Sequence, residues 1–169
     1  MMEKVLLAID GIRPTRKAFH FAVQLCLRLK MELSVFQVIG TGRYNAYIKK
    51  IRRRMEGVRR YLENSMVAVT FAEAAGPETA DLLMAEARRN LNELLLESEK
   101  EGVPFHLVMK YGIPHKEIIH YVKENRDVVL TIYDDATDQS PESAVKTGRS
   151  VVPKQIRRNL ATPLLVVRN

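Results

Sequence analysis

An open parallel α/β sheet is the fold class that the sequence predicts, and three observations predict it. Short apolar runs of strand length alternate along the chain with longer stretches of helical periodicity, the order that builds βαβ units. The first run, Lys4 to Ile9, is almost unbroken in its apolar character and stops at Asp10-Gly11. Such a run suits a strand buried on both faces, as in a parallel sheet covered by helices. Glycine and glycine-proline signals at Gly40, Gly76-Pro77, Gly102 and Gly112 mark the joints between the segments.

The 169 residues suit a single domain, 1–169, long enough to form a core without staples. Apolar residues make up 46% and charged residues 28%, ordinary proportions for a globular protein. No apolar run is long enough to span a membrane. Acidic Glu3 leads straight into a strand pattern, which argues against a signal peptide. Cys26 is the single cysteine, so no internal disulfide can form, and its apolar helical surroundings suit a buried structural thiol. The expected compartment is the cytoplasm.

The elements follow in order. After Asp10-Gly11, Pro14 suits the first turn of a helix that runs to about Leu29. Its residues Ala18, Phe19, Ala22, Val23, Leu25, Cys26 and Leu29 recur at helical spacing and predict one sheet-facing side. Glu32 to Ile39 is the second strand, ending at the same sheet edge as Asp10. A second sheet-packing helix is expected from about Ala80 to Lys100, with Leu82, Leu83, Ala87, Leu91, Leu94 and Leu95 buried. Val103–Met109 is the third strand, His115 to about Asn125 a helix, and Asp127–Ile132 the fourth strand. Tyr133–Ser150 is polar and aperiodic and is expected to be a loop. A helix over about Val151–Asn159 and a strand over Pro163–Val167 complete the pattern.

Between the second strand and the second helix lies an insertion, 43–75, that a plain βαβ unit does not need. Tyr44, Ile48, Ile51, Met55, Val58, Leu62, Ser65 and Val69 alternate at spacings of four and three, a heptad-like stripe. Arg43, Lys49, Lys50, Arg52, Arg53, Arg54, Arg59 and Arg60 flank it against one acid, Glu56, so this stretch accounts for the whole formal charge of +7. An inserted amphipathic basic helix is expected. No aromatic stacking series or recognition module accompanies the charges, so helix–helix packing is favoured over nucleic-acid binding. Tyr44, Ile51, Met55, Val58 and Leu62 are the expected seam, with Arg52, Arg53 and Arg54 beside it for an anionic partner.

Three blocks in sequence resemble the universal stress protein family. Lys4-Val-Leu-Leu-Ala-Ile-Asp-Gly11 is similar to its opening strand. Gly112-Ile-Pro-His-Lys-Glu-Ile-Ile119 with Asp127-Val-Val-Leu130 resembles its Gly-x-Pro helix and fourth strand. Gln155-Ile-Arg-Arg-Asn-Leu-Ala-Thr-Pro-Leu-Leu-Val-Val167 resembles its closing helix and strand. The resemblance implies a sheet of order 3-2-1-4-5 with helices on both faces, adenine nucleotide alpha hydrolase-like, and a homodimer. It also implies an adenosine contact at Asp10, backbone contacts to adenine near Val38, and a glycine-rich phosphate loop after the fourth strand.

This chain departs from that loop. Counting back from Pro163 places Thr137, Ser140 and Ser150-Val151 where the family has Gly, Gly and Gly-[Ser/Thr]; counting forward from the fourth strand places Asp135, Asp138 and Gly148-Arg149 there. Either register loses glycines whose backbone amides would close on phosphate. Asp134, Asp135 and Asp138 add negative charge, and like charges at about 4 Å cost roughly 1 kcal/mol even in water. Asp10, Val38, Gly148 and Ser150 are therefore expected to mark a vestigial nucleotide site with no cofactor; the alternative is a site that holds ATP or AMP.

The remaining candidates point to no catalytic role. The acidic loop lacks the spacing of a calcium loop and is expected to be solvated rather than metal-binding. His115 and His120 are five apart and do not share a helix face, and Ser140, Ser143 and Ser150 have no evident histidine partner. Two roles are open to Asp10: a contact to ribose or an amine, or a turn with Gly11 that caps the next helix. The expected function is a non-enzymatic, dimeric stress-response or interaction module. Its alternatives are an adenine-nucleotide binder using Asp10 and Val38, and an adaptor that meets an anionic partner through Arg43–Arg60.

Overall fold

The computed structural model describes residues 2–40, 77–134 and 151–168. The expected inserted helix at 43–75 lies outside the described residues. The described chain forms one five-stranded sheet of order β3-β2-β1-β4-β5. Its strands are β1 (Lys4–Asp10), β2 (Glu32–Ile39), β3 (Phe105–Tyr111), β4 (Val128–Asp134) and β5 (Leu164–Val167). Every adjacent pair is parallel, as the alternation with helices requires. The helices are α1 (Arg16–Leu29), α2 (Pro77–Lys100), α3 (Pro114–Glu124) and α4 (Val151–Asn159).

The two sheet faces carry separate cores because strand side chains alternate. On one face Val5, Leu7 and Ile9 of β1 join Leu33 and Val35 of β2 beneath α1 and α2. The helices contribute Ala18, Phe19, Ala22, Val23 and Cys26 from α1, and Leu91, Leu94 and Leu95 from α2. On the other face Leu6, Ala8, Phe36 and Val38 pack against Ile118 and Val122 of α3 and Ile156 of α4. Central β1 is buried from Val5 through Asp10, as its unbroken apolar run predicts. Burying one such large side chain contributes about 1.5–3 kcal/mol, and truncating Leu91 to alanine would cost about 2–5 kcal/mol.

Several boundaries differ from the sequence expectation, β3 also running on to Tyr111, and three of the differences have a local reason. β3 starts at Phe105 rather than Val103, because Val103 is buried beneath α2 and its N–H is taken by Ser98 O at 3.1 Å. Pro104, lacking an N–H, still offers its carbonyl to Leu33 N at 3.0 Å. α2 starts at Pro77, a residue that fits a first helical turn. β4 runs on through Tyr133 and Asp134, two residues that looked like loop. Leu29, expected on the buried side of α1, is 46% exposed in its last turn. Beyond it Lys30 takes a left-handed conformation and its N–H closes on Cys26 O.

Candidate functional site

The carboxyl ends of β1, β2 and β4 meet at one sheet edge, and Asp10 closes β1 there. Asp10 stands opposite Val38 in the register and is 1% exposed. Alternation puts its side chain on the α3/α4 face, with Leu6 and Ala8. Ala8 pairs with Tyr133 across the β1–β4 ladder, which sets Tyr133 on that same face one step behind Asp10. The phenol reaches forward from there, and its hydroxyl donates to Asp10 Oδ2 at 2.7 Å. An O–H aimed at a carboxylate in a buried setting is among the stronger hydrogen bonds available to a protein.

Asp134 follows Tyr133 and points to the opposite face. Its Oδ2 accepts from Thr15 N at 2.8 Å and its Oδ1 from Thr15 Oγ1 at 2.9 Å. Thr15 is the N-cap of α1, its hydroxyl oxygen accepting from Ala18 N at 3.3 Å. The hydroxyl is thus used in both directions, giving its proton to Asp134 and a lone pair to the helix. A carboxylate there also meets the positive end of the α1 dipole.

Two expectations are corrected here. Asp134 is a fully buried brace between β4 and α1, not part of a solvated acidic loop. The helix is capped by Thr15 and Asp134, not by Asp10. The cause is strand length: β4 carries two residues more than its apolar run suggests, and alternation sends Tyr133 and Asp134 to opposite faces. Asp10 and Asp134 therefore do not converge on one ion. Asp135 and Asp138 lie outside the described residues.

The Gly11 turn is held from both ends. Its N–H donates to Val38 O at 3.2 Å, and Gln37 Nε2 donates to its carbonyl at 2.7 Å. Val38 O thus accepts one hydrogen bond from the turn, and Gly40 is the first residue past β2 at the same edge. The neighbouring wall comes from β3 and α3. Gly112 N donates to Ile39 O at 3.2 Å. Gly112 has φ +153, a backbone angle that favours glycine, and a Cβ there would lie 2.7 Å from Glu117 Cγ and push that side chain aside. Glu117 is paired with Lys110 Nζ at 2.6 Å.

Of the other candidates, Gly148 and Ser150 lie outside the described residues, as do Tyr44, Ile51, Met55, Val58, Leu62, Arg52, Arg53 and Arg54. His120 is exposed beside Glu124, with 3.2 Å between Nε2 and Oε1. Cys26 is buried, and desolvation pushes its thiol pKa up to about 12, as befits a structural thiol. Sequence reasoning missed Tyr133, Thr15 and Gln37. For Tyr133 a signal existed: an aromatic directly continuing Val-Val-Leu-Thr-Ile extends the strand by propensity.

The profile described as the universal stress protein family matches residues 1–132. No curated protein sequence matches the chain. Among solved structures, a universal stress protein from Lactobacillus plantarum is 15% identical, with TM-score 0.60 and coverage of 99% of each chain. A universal stress protein from Archaeoglobus fulgidus, described as a complex with dAMP, is 12% identical with TM-score 0.56, covering 99% of this chain and 100% of that one. An Arabidopsis thaliana family protein described with AMP bound is 14% identical with TM-score 0.54, covering 99% and 92% respectively. At these identities the likeness shows the fold.

Proposed function

This chain belongs to the universal stress protein family, and from that premise we propose that it is a non-enzymatic, stress-related interaction module whose nucleotide site is vestigial. The observation that carries the reading is the 2.7 Å hydrogen bond from Tyr133 to Asp10 Oδ2, at a carboxylate only 1% exposed. A ribose seeking that carboxylate must share or displace the phenol, and leaving a buried polar group unmatched costs about 1–3 kcal/mol. The sequence after β4 supports the same reading, since in either register, Asp135 and Asp138 or Thr137 and Ser140, residues other than glycine stand where phosphate would want glycine amides. Partner binding is assigned to the stripe Tyr44, Ile51, Met55, Val58 and Leu62, between subunits of a homodimer or with another protein. Met55→Asp and Leu62→Asp should then sediment as monomers or lose the partner. Isothermal titration with Mg-ATP and with AMP should give no binding heat.

A second reading has an observation in its favour: solved structures of the same fold are described with dAMP and AMP. In it Tyr133 orients Asp10 toward adenosine, and the backbone around Val38 and Gly40 meets the base. That reading requires saturable nucleotide binding that Asp10→Ala abolishes.

A further inference from the structure

α1 and α2 cover the same sheet face, and between them lies a side-chain cluster that the strand-edge site does not use. His20 and Gln24 stand one turn apart on α1, while Glu97, in the last turn of α2, is one turn from Glu101 just beyond it. One ligand atom from each of His20, Glu97 and Glu101 lies within 4.8 Å of the others. Gln24 Nε2 donates to Glu101 Oε2 at 2.9 Å, holding that carboxylate toward α1. His20 is exposed and both glutamates are half-buried, so an ion can reach them from solvent.

The charges here are unfavourable on their own. Two carboxylates four residues apart repel, and both sit at the negative end of the α2 dipole. Among the described residues neither Glu97 nor Glu101 is ion-paired with a lysine or arginine. A divalent cation would relieve both effects at once. We propose that His20, Glu97 and Glu101 form a divalent transition-metal site that staples α2 to α1.

An imidazole nitrogen with two carboxylates suits zinc or its neighbours rather than calcium or magnesium, which prefer all-oxygen shells. Tetrahedral zinc holds its ligands about 3.4 Å apart, so binding would need small side-chain rotations of His20, Glu97 and Glu101 from their spread of up to 4.8 Å. Three protein ligands leave the fourth position to water. Gln24 is a positioning residue, orienting Glu101 through its amide. This inference is independent of whether nucleotide binds at Asp10.

The test uses the full-length, metal-stripped protein titrated with Zn²⁺ by calorimetry and with Co²⁺ followed by visible absorption. The expected result is one saturable site per chain, cobalt d–d bands, and a raised Tm with zinc. His20→Ala and Glu97→Gln should each abolish the bands and the Tm shift, and Gln24→Ala should weaken zinc about tenfold. All three residues are at least partly exposed, and circular dichroism checks that the variants fold. Absence of saturable binding overturns the proposal. So does unchanged affinity in either His20→Ala or Glu97→Gln.

Discussion

Thr15 and Asp134 are separated by 119 residues yet joined by two hydrogen bonds, which makes them the most informative pair for mutation. Asp134→Ala leaves a part-buried N–H and hydroxyl without their acceptor and should cost about 3 kcal/mol in urea unfolding. Thr15→Ala removes the cap itself and should cost about 1–2 kcal/mol. The double variant should fall short of the sum, because both changes break the same contacts. Tyr133→Phe removes the donor to Asp10 and is expected to lose about 1–3 kcal/mol. Cys26, its thiol pKa raised to about 12 by burial, should resist a thiol reagent in the native protein and react once denaturant exposes it. Rapid labelling of the native thiol would contradict its placement in the α1 core.

At the scale of elements, the Gly112 turn between β3 and α3 is the most exacting joint. Gly112→Ala forces a φ of +153 on an L-residue and drives a Cβ to 2.7 Å from Glu117 Cγ. It should destabilise by about 1–3 kcal/mol, and it should release the Lys110–Glu117 pair at the start of α3. The helices and most strands were legible because apolar spacing records which side is buried: Ala18, Phe19, Ala22, Val23 and Cys26 are all core residues. The ends of β3 and β4 were not legible. Val103 satisfies its backbone with α2 before the ladder begins, and Tyr133-Asp134 carries a polar tip and a charge that imitate a loop. Only the cross-strand register reveals that Tyr133 faces Asp10 while Asp134 faces Thr15. Of the site, Asp10's position at the edge was readable from the sequence; its partner was not.

Across the whole molecule, the sheet is tied at both ends by contacts between β1 and β4, Tyr133 with Asp10 at the carboxyl edge and Lys4 with Asp127 at the amino edge. Lys4 Nζ lies 2.6 Å from Asp127 Oδ2, and that hydrogen bond holds the Asp127 carboxyl below its usual range. A depressed folded-state pKa contributes stability above the unfolded value near pH 4, and the contribution is lost as pH falls through the folded value. Asp127→Asn should therefore cost up to about 1 kcal/mol near neutrality and flatten the stability profile below about pH 4. A profile with unchanged acid slope would place the acid sensitivity elsewhere. The proposed reading takes the bond from Tyr133 and the acids Asp135 and Asp138 as marks of a carboxyl edge no longer used for adenosine, and its alternative takes the same edge as a live site. Isothermal titration of the full chain with Mg-ATP and AMP decides between the two most directly. Absence of saturable heat is the predicted result; a micromolar dissociation constant that Asp10→Ala abolishes would contradict it.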